Sequence, residues 1–411
     1  MASNKCRLID IADVQGGFAF KSSDFRKDGV PVIKIANIQP PQVTLHNVDC
    51  VAFETVRGLD RFRLSDGDIL MAMTGATVGK VGRFTGHETA YLNQRVARIS
   101  SKYGREYDDY IFAVVSLPGF DRLIEGSSAG SAQANISATG IGSVSISRHS
   151  AAEQLQIGRI ARALDDRVRL LRETNQMLEA VARAIFKSWF VDFDPVRAKG
   201  EGREPEGMDA ATAALFPNEF QGSILGEIPA DWGVGRLDDL LVLQRGFDLP
   251  HSQRTPGSYP VIAASGPSGT HCESRAKGPG VVTGRSGVLG NVFWVDDDFW
   301  PLNTSLWVKE FKRAKPAYAV QHLRTLDLSS YNAGSAVPTL NRNHIHSLPT
   351  LLPPTGLVEA FDEIATPLFQ KIRANKDHSE NLIELRDLLL PRLITGKLRV
   401  PEAEKLVEAI I

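Results

Sequence analysis

"IGRIARALDDRVRLLRETNQMLEAVARAIFKSW", residues 157–189, recurs in its spacing, though hardly in its letters, 204 positions further along the chain. Ile157 falls on Phe361, Ile160 on Ile364, Leu164 on Leu368 and Val168 on Ile372. Then Leu178 falls on Leu382, Val181 on Leu385, Ile185 on Leu389 and Trp189 on Leu393. In the first stretch Ile157, Ile160, Leu164, Val168, Leu171, Asn175, Leu178, Ala182, Ile185 and Trp189 follow one another at steps of three and four. In the second, Phe361, Ile364, Leu368, Ile372, Asn375, Leu382, Leu389 and Leu393 lie on the same kind of seam. A narrow apolar seam with charged flanks is the signature of a coiled coil. About 43 residues at ~1.5 Å each predict a rod of about 65 Å. The first helix leads away from one globular block and the second returns, so the pair must run antiparallel. Asn175 and Asn375 are expected to set the register, because a buried asparagine on such a seam is satisfied in one alignment only.

The repeat extends outward from the helices. "SSAGSAQANI" (127–136) faces "YNAGSAVPTL" (331–340) at the same offset. "DIADVQGGF" (10–18) resembles "DDLLVLQRGF" (238–247), "MTGATVGKV" (73–81) resembles "VTGRSGVLGNV" (282–292), and "YLNQ" (91–94) resembles "PLNT" (301–304). Each half offers strand-like runs between Gly and Asp breakers. They are 30–37, 67–73, 79–84 and 92–99 in the first half, and 259–265, 280–284, 291–295 and 303–308 in the second. One helix is expected over 107–126 and another over 315–327. The predicted fold class is α+β: two similar mixed α/β domains joined by two long antiparallel coiled-coil helices, a pseudo-two-fold tandem repeat.

Bulk properties agree. At 411 residues the chain exceeds a single core, and 43% hydrophobic with 23% charged residues is ordinary for a folded protein. No apolar run is long enough for a membrane span, and "MASNKCRLID" has no signal-peptide core, so a cytoplasmic location is expected. Cys6, Cys50 and Cys272 form neither a disulfide framework nor a zinc spacing. The net charge of −1 conceals a pattern. Residues 1–150 carry 17 basic and 15 acidic side chains, 151–200 carry 9 and 7, and 233–352 carry 12 and 9. Residues 201–232 carry 1 and 7, and 353–411 carry 8 and 10. Two mildly basic blocks flank an acidic one, which permits local attraction to phosphate.

No catalytic constellation emerges. "GATVGKV" (75–81) has three residues between its glycines and Val81 after Lys80, whereas a phosphate loop needs four and a hydroxyl residue. "GRSGVLG" (284–290) lacks dinucleotide-loop spacing. His344 and His346 in "NHIH" have no further ligand at metal spacing, and read as solvated or capping residues. Asp192 and Asp194 precede Pro195 and read as a helix terminus. "DDD" (296–298) reads as an exposed turn. No metal site and no methyltransferase or nuclease motif is present.

The tandem pattern, with "ARAIFKSWFVDFDPVRAK" closing the first helix, "LLLPRLITGKLRV" closing the second and "GSILGEIPADWGVGRLDDL" (222–240) opening the second block, resembles the DNA specificity subunits of type I restriction–modification systems. The resemblance covers essentially the whole chain. It implies a first target-recognition domain over 1–150, a spacer helix over 151–196 and an acidic linker and entry over 197–232. A second recognition domain (233–352), a second spacer helix (353–398) and a tail (399–411) near the first domain would follow. It implies a non-catalytic subunit that binds double-stranded DNA at an asymmetric bipartite target and directs its partners there. Those partners are methyltransferase subunits carrying S-adenosylmethionine, and a possible restriction subunit using ATP and Mg; no cofactor is expected in this chain. Phe186, Trp189, Phe190, Phe193, Leu390, Leu393 and Ile394, at the helix ends, are candidates for packing against the partners or for packing the helix ends within the chain.

Residues shared by both halves cannot distinguish two half-sites. Gln15, Thr74, Gly75, Ser131, Gln244, Thr283, Gly284 and Ser335 are therefore expected to build loops or hold the DNA backbone. Base readout is expected from polar residues that differ: Lys21, Lys34, Asn37, Arg57, Lys80, Arg95 and Gln133, and then Arg245, Arg254, His271, Arg275, Lys277, Arg285 and Arg342. Two other readings are a stand-alone DNA-modifying or DNA-cleaving enzyme and a coiled-coil protein scaffold.

Overall fold

The computed structural model describes residues 5–86, 88–125, 135–331 and 338–410. Two long helices dominate it: α1, Ala151–Phe190, and α2, Thr355–Ile394. Ser150 and Glu153 start α1 with a reciprocal cap, in which Glu153 accepts the Ser150 amide (2.9 Å) and the Ser150 hydroxyl accepts the Glu153 amide (3.3 Å). α1 ends earlier than the expected 196, because Phe193 adopts a left-handed conformation (φ 58°). Pro195 then starts a new short helix, Asp194–Gly200, in whose first turn its missing N–H costs no hydrogen bond.

The chain forms two compact units, Met1–Leu170 with His378–Ile411, and Leu171–Asp377. Each contains one sheet domain and a portion of both helices. In the first unit the principal sheet contains β1 (Ala12–Gly16), β2 (Ile69–Ala72), β3 (Val81–Phe84) and β4 (Val96–Ser101) in the order β1-β4-β2-β3, all antiparallel. In the second, β5 (Leu241–Arg245), β6 (Gly280–Gly284), β7 (Val292–Val295) and β8 (Ser305–Phe311) stand in the order β5-β8-β6-β7. The two orders are the same. A smaller sheet in each unit repeats too: Val30–Ile33 pairs in parallel with Tyr91–Leu92, and Tyr259–Ala263 with Trp300–Pro301. An entry strand closes each domain, Lys5–Arg7 on Ser145–Ser147 and Gly233–Arg236 on Pro349–Leu352.

The single helix expected over 107–126 is two, Asp108–Val115 and Phe120–Glu125, interrupted at Pro118 and at Gly119, whose φ is 89°. The segment expected as an acidic linker is structured: Ala210–Ala214 is helical, capped by Asp209, and Phe220–Ser223 pairs with Gly226–Pro229. The helix ends pack within the chain, the second of the two roles expected for them. In the second unit Phe186, Trp189 and Phe190 are buried against Phe216, Trp232, Tyr318 and Phe361, with ring centroids 5.0–6.2 Å apart. Phe193 caps this cluster, edge-on to Trp232. In the first unit Leu390, Leu393 and Ile394 are buried, and the ring of His149 bonds the Ile394 carbonyl at 2.9 Å.

The seam also departs from the expected one in detail. Ile364 is exposed and Leu368 half-buried, while Ala365 and Phe369 are buried in their place. Phe369 there stacks flat on Trp294 of the sheet domain, at 4.3 Å. Contact with the domain, and not only with the other helix, decides which face of α2 turns inward.

Candidate nucleic-acid interface

Strand order determines which loops meet. In the first unit β1 ends where β4 begins, with Gly16 opposite Ala97, and β4 begins where β2 ends, with Val96 opposite Ala72. The β2–β3 hairpin turns at that same end. Segments 17–21, 73–80 and 93–95 therefore gather at one end of the sheet. In the second unit the register Arg245–Leu306, Gly284–Ser305 and Thr283–Val292 gathers 246–250, 285–291 and 302–304.

Matching main-chain bonds hold both loop sets. The Met73 amide donates to Arg95 (3.0 Å) as Arg285 does to Thr304 (2.8 Å). Gln94 donates to Phe18 (2.8 Å) as Asn303 does to Phe247 (3.0 Å), and Ile136 to Met73 (2.9 Å) as Leu340 to Arg285 (2.8 Å). A Cβ on Gly17 would sit 2.2 Å from the Asn93 carbonyl oxygen, and one on Gly246 2.2 Å from that of Leu302. Only glycine fits at that crossing.

These bonds, with the Ala72 amide donating to Lys80 (2.9 Å) as Gly284 does to Asn291 (3.4 Å), pair Met73 with Arg285, Thr74 with Ser286, Lys80 with Asn291, Gln94 with Asn303, Arg95 with Thr304 and Ala19 with Asp248. The expected match of Thr74 and Gly75 to Thr283 and Gly284 is therefore corrected by three residues. Thr283 and Gly284 lie buried within β6, and the Thr283 hydroxyl donates to the Asn291 carbonyl at 2.8 Å. The turn belongs to Ser286-Gly287, since Gly75 and Gly287 both have positive φ, 73° and 91°.

Of the expected contacts, Lys21, Thr74, Gly75, Lys80 and Arg95 come together at the first sheet end, and Arg245 and Arg285 at the second. Arg342 opens a short helix two residues after Leu340, which is bonded to Arg285. Gln15 is engaged inside the first sheet, donating to the Arg61 carbonyl (2.9 Å) and accepting from Arg98 (2.7 Å). Gln244, its counterpart on β5, is half-buried. Two candidates point inward and are corrected to structural groups. The Asn37 side chain accepts the Lys34 amide (3.0 Å), and His271 Nδ1 accepts that of Thr255 (3.1 Å); both residues are buried.

Others are tethered beside the smaller sheets. Lys34 pairs with Asp49 (2.7 Å) over the Phe25 ring, Arg254 holds the Ser268 carbonyl (2.5 Å), Arg275 lies over Trp300, and Lys277 pairs with Asp298 (2.6 Å). Arg57 follows the turn Phe53–Val56, outside the gathered segments. Ser131, Gln133 and Ser335 lie outside the described residues. Lys21, Arg57, Lys80, Arg95 and Arg342 are exposed and carry no side-chain hydrogen bond or ion pair among the described residues.

Residues that sequence reasoning passed over also stand at the sheet ends: Gln94 in the first, and Asp248, Asn303 and Thr304 in the second. The repeated Leu-Asn of "YLNQ" and "PLNT" was the available signal. The aspartates of 296–298 are not a free turn: Asp296 accepts from Trp294 (2.8 Å), Asp297 pairs with Arg373 of α2 (2.6 Å), and Asp298 holds Lys277. His346 is neither solvated nor capping. It accepts the Leu243 amide at 2.9 Å, and burial lowers its pKa. Among the described residues no three His, Cys, Asp or Glu side chains gather as metal ligands, and no helix is long and apolar enough to cross a membrane.

Residues 3–180 match the family described as the type I restriction modification DNA specificity domain. The chain is similar to this family over that stretch. The type I restriction enzyme MjaIX specificity subunit of Methanocaldococcus jannaschii is 25% identical over 75% of this chain and 73% of its own length. The HindI specificity subunit of Haemophilus influenzae is 26% identical over 60% of this chain and 67% of its own. The fold is that of the type I restriction–modification S subunit from M. genitalium, whose crystal structure is 15% identical, covers 95% of each chain and superposes with a TM-score of 0.59. The family match ends at residue 180, and the repeated strand order carries the same architecture through the second unit.

Proposed function

We propose that this chain is the non-catalytic, sequence-reading subunit of a type I restriction–modification assembly, each unit reading one half of a split, asymmetric DNA target. One observation carries the reading. Two sheet ends built on the same main-chain bonds present different polar side chains, Gln94 and Arg95 in one and Asn303 and Thr304 in the other. A shared frame with unlike donors and acceptors suits recognition of two unlike base sequences, because base edges are distinguished by their hydrogen-bonding pattern.

The partners in this reading are methyltransferase subunits that bring S-adenosylmethionine, with a restriction subunit supplying ATP- and Mg-dependent cleavage. With the aromatic helix ends buried, the partner surface falls on exposed apolar positions of the helices, such as Met177 and Val181 of α1. The helices act as the spacer between half-sites. One inserted heptad in each adds roughly 10 Å, or about three base pairs at ~3.4 Å each, to the gap in the target.

The test is methylation mapping. The chain is co-expressed with its methyltransferase subunit in a methylation-free host, and modified bases are mapped genome-wide. A single split motif that disappears when this chain is omitted supports the reading. Methylation indifferent to the omission would leave a scaffold role.

A further inference from the structure

The second sheet end contains an anion where a DNA-facing surface should carry cations. Asp248 is exposed, its side chain retaining 71% of its accessible surface, yet it is held in place from two sides. Its carboxylate accepts from the Asn303 side-chain amide and faces the Arg245 guanidinium at 3.8 Å. Asn303 is itself fixed: its backbone amide bonds Phe247 (3.0 Å), and its carbonyl accepts from the Arg285 guanidinium at 3.4 Å. The result is an ordered row of Arg245, Asp248, Asn303 and Arg285 along the loops. At the equivalent places the first unit has Gly16, Ala19, Gln94 and Met73, with no acid among them.

A carboxylate near a phosphate is repelled, so Asp248 is a poor backbone contact. An ionised carboxylate only accepts hydrogen bonds. In the major groove the partner offered by a base is an exocyclic amino group, and Asp pairs best with cytosine N4. The flanking Arg245 and Arg285 supply the positive field that lets this acid approach the duplex.

We propose that Asp248 reads a cytosine amino group in the half-site bound by the second unit, as the acceptor of the row Arg245–Asp248–Asn303. This inference rests on the DNA-recognition reading above and adds one base to it.

The test compares methylation maps for the wild-type chain, Asp248→Ala, Asp248→Asn and, as a marker of the other half-site, Arg95→Ala, each with the methyltransferase subunit. Expected is relaxation at one C·G pair for Asp248→Ala, a loss of about 10- to 100-fold in discrimination. Asp248→Asn should shift preference at that same pair, and both effects should lie in the half-site that Arg95→Ala leaves alone. Unrelaxed specificity in both variants overturns the proposal. If neither variant methylates, purified complexes are titrated with duplexes of the wild-type motif altered one pair at a time. The proposal then stands if the penalty at one C·G pair shrinks in Asp248→Ala, and is overturned if every penalty is unchanged. A wild-type chain that yields no split motif refutes the DNA-recognition reading itself, a result distinct from either.

Discussion

Asn375 donates its side-chain amide to the Asn175 side-chain oxygen at 2.8 Å, and Asn175 donates in turn to the Ile372 carbonyl at 3.2 Å. Both belong to the second unit, where α1 and α2 meet, and Asn375 is buried. The pair is satisfied only when these two positions face each other, so a slipped alignment would strand polar groups in an apolar seam. We expect Asn375→Ala to lower the stability of this unit by about 1–3 kcal/mol, since it leaves Asn175 without its donor. Replacing both with Leu should recover that loss and weaken the alignment. Urea unfolding of the two variants checks the first claim. Cysteine cross-linking across the helices checks the second, and the first is wrong if the single variant unfolds at the wild-type midpoint.

Trp189 packs edge-on against Phe216 (5.3 Å) and lies 6.2 Å from Phe361. Trp189→Ala should cost about 3–5 kcal/mol, the usual range for an aromatic removed from a core. Thermal unfolding followed by fluorescence reads it directly, because all five tryptophans lie in the second unit. A variant that melts within a degree or two of wild type would argue against the interior role.

His322 is stacked on Tyr318, and its Nε2 is buried with no hydrogen-bond partner; burial lowers its pKa to about 4. The unfolded imidazole titrates near 6.5. Between about pH 6.5 and 4 the unfolded chain therefore takes up a proton that the folded unit refuses. The stability of the second unit should be intact above pH 6.5 and fall on acidification, by about 3 kcal/mol at pH 4. His322→Phe should flatten this slope. Urea midpoints at pH 7.5 and pH 5 decide the matter, and parallel losses in both proteins would exclude His322 as the source.

Lys80 is exposed on the first sheet end and carries no acidic partner among the described residues. On the proposed DNA-recognition reading, a lysine so placed is expected to meet phosphate and not a base edge, a change from its sequence-based assignment. Lys80→Ala should weaken binding of the assembled complex about equally on target and non-target duplexes, and reduce the salt slope by roughly 0.9. Filter binding between 50 and 200 mM salt measures it. An unchanged slope would place Lys80 away from the backbone.

Much of the architecture was legible because it was written twice. The seam of α1 and α2 follows from its spacing, and "GVVTG" and "NVFWV" fall on strands β6 and β7. The details went astray where tertiary contact overrode a local pattern. Ile364 looked like seam, but Trp294 stacks on Phe369 and draws a different face of α2 inward. Thr283-Gly284 looked like the counterpart of Thr74-Gly75, because a two-letter match says nothing of which glycine needs positive φ. The candidate site was harder still. An exposed arginine and a tethered one look alike in a sequence, and nothing near Lys277 reveals that Asp298, twenty-one positions later, occupies it. His271 and Asn37 show the same limit for small polar side chains, whose bonding to a neighbouring amide depends on how the chain turns.

The glycine crossings at Gly17 and Gly246 have a consequence for how such a protein changes over generations. Each loop set crosses backbone on backbone, at 2.2 Å from an imagined Cβ, so its position rests first on the main chain. Substitution at Ala19, Gln94, Asp248 or Asn303 therefore leaves the hydrophobic core untouched. If those displayed residues read the target, as proposed, a lineage can drift to a new one residue by residue without passing through unfolded ancestors.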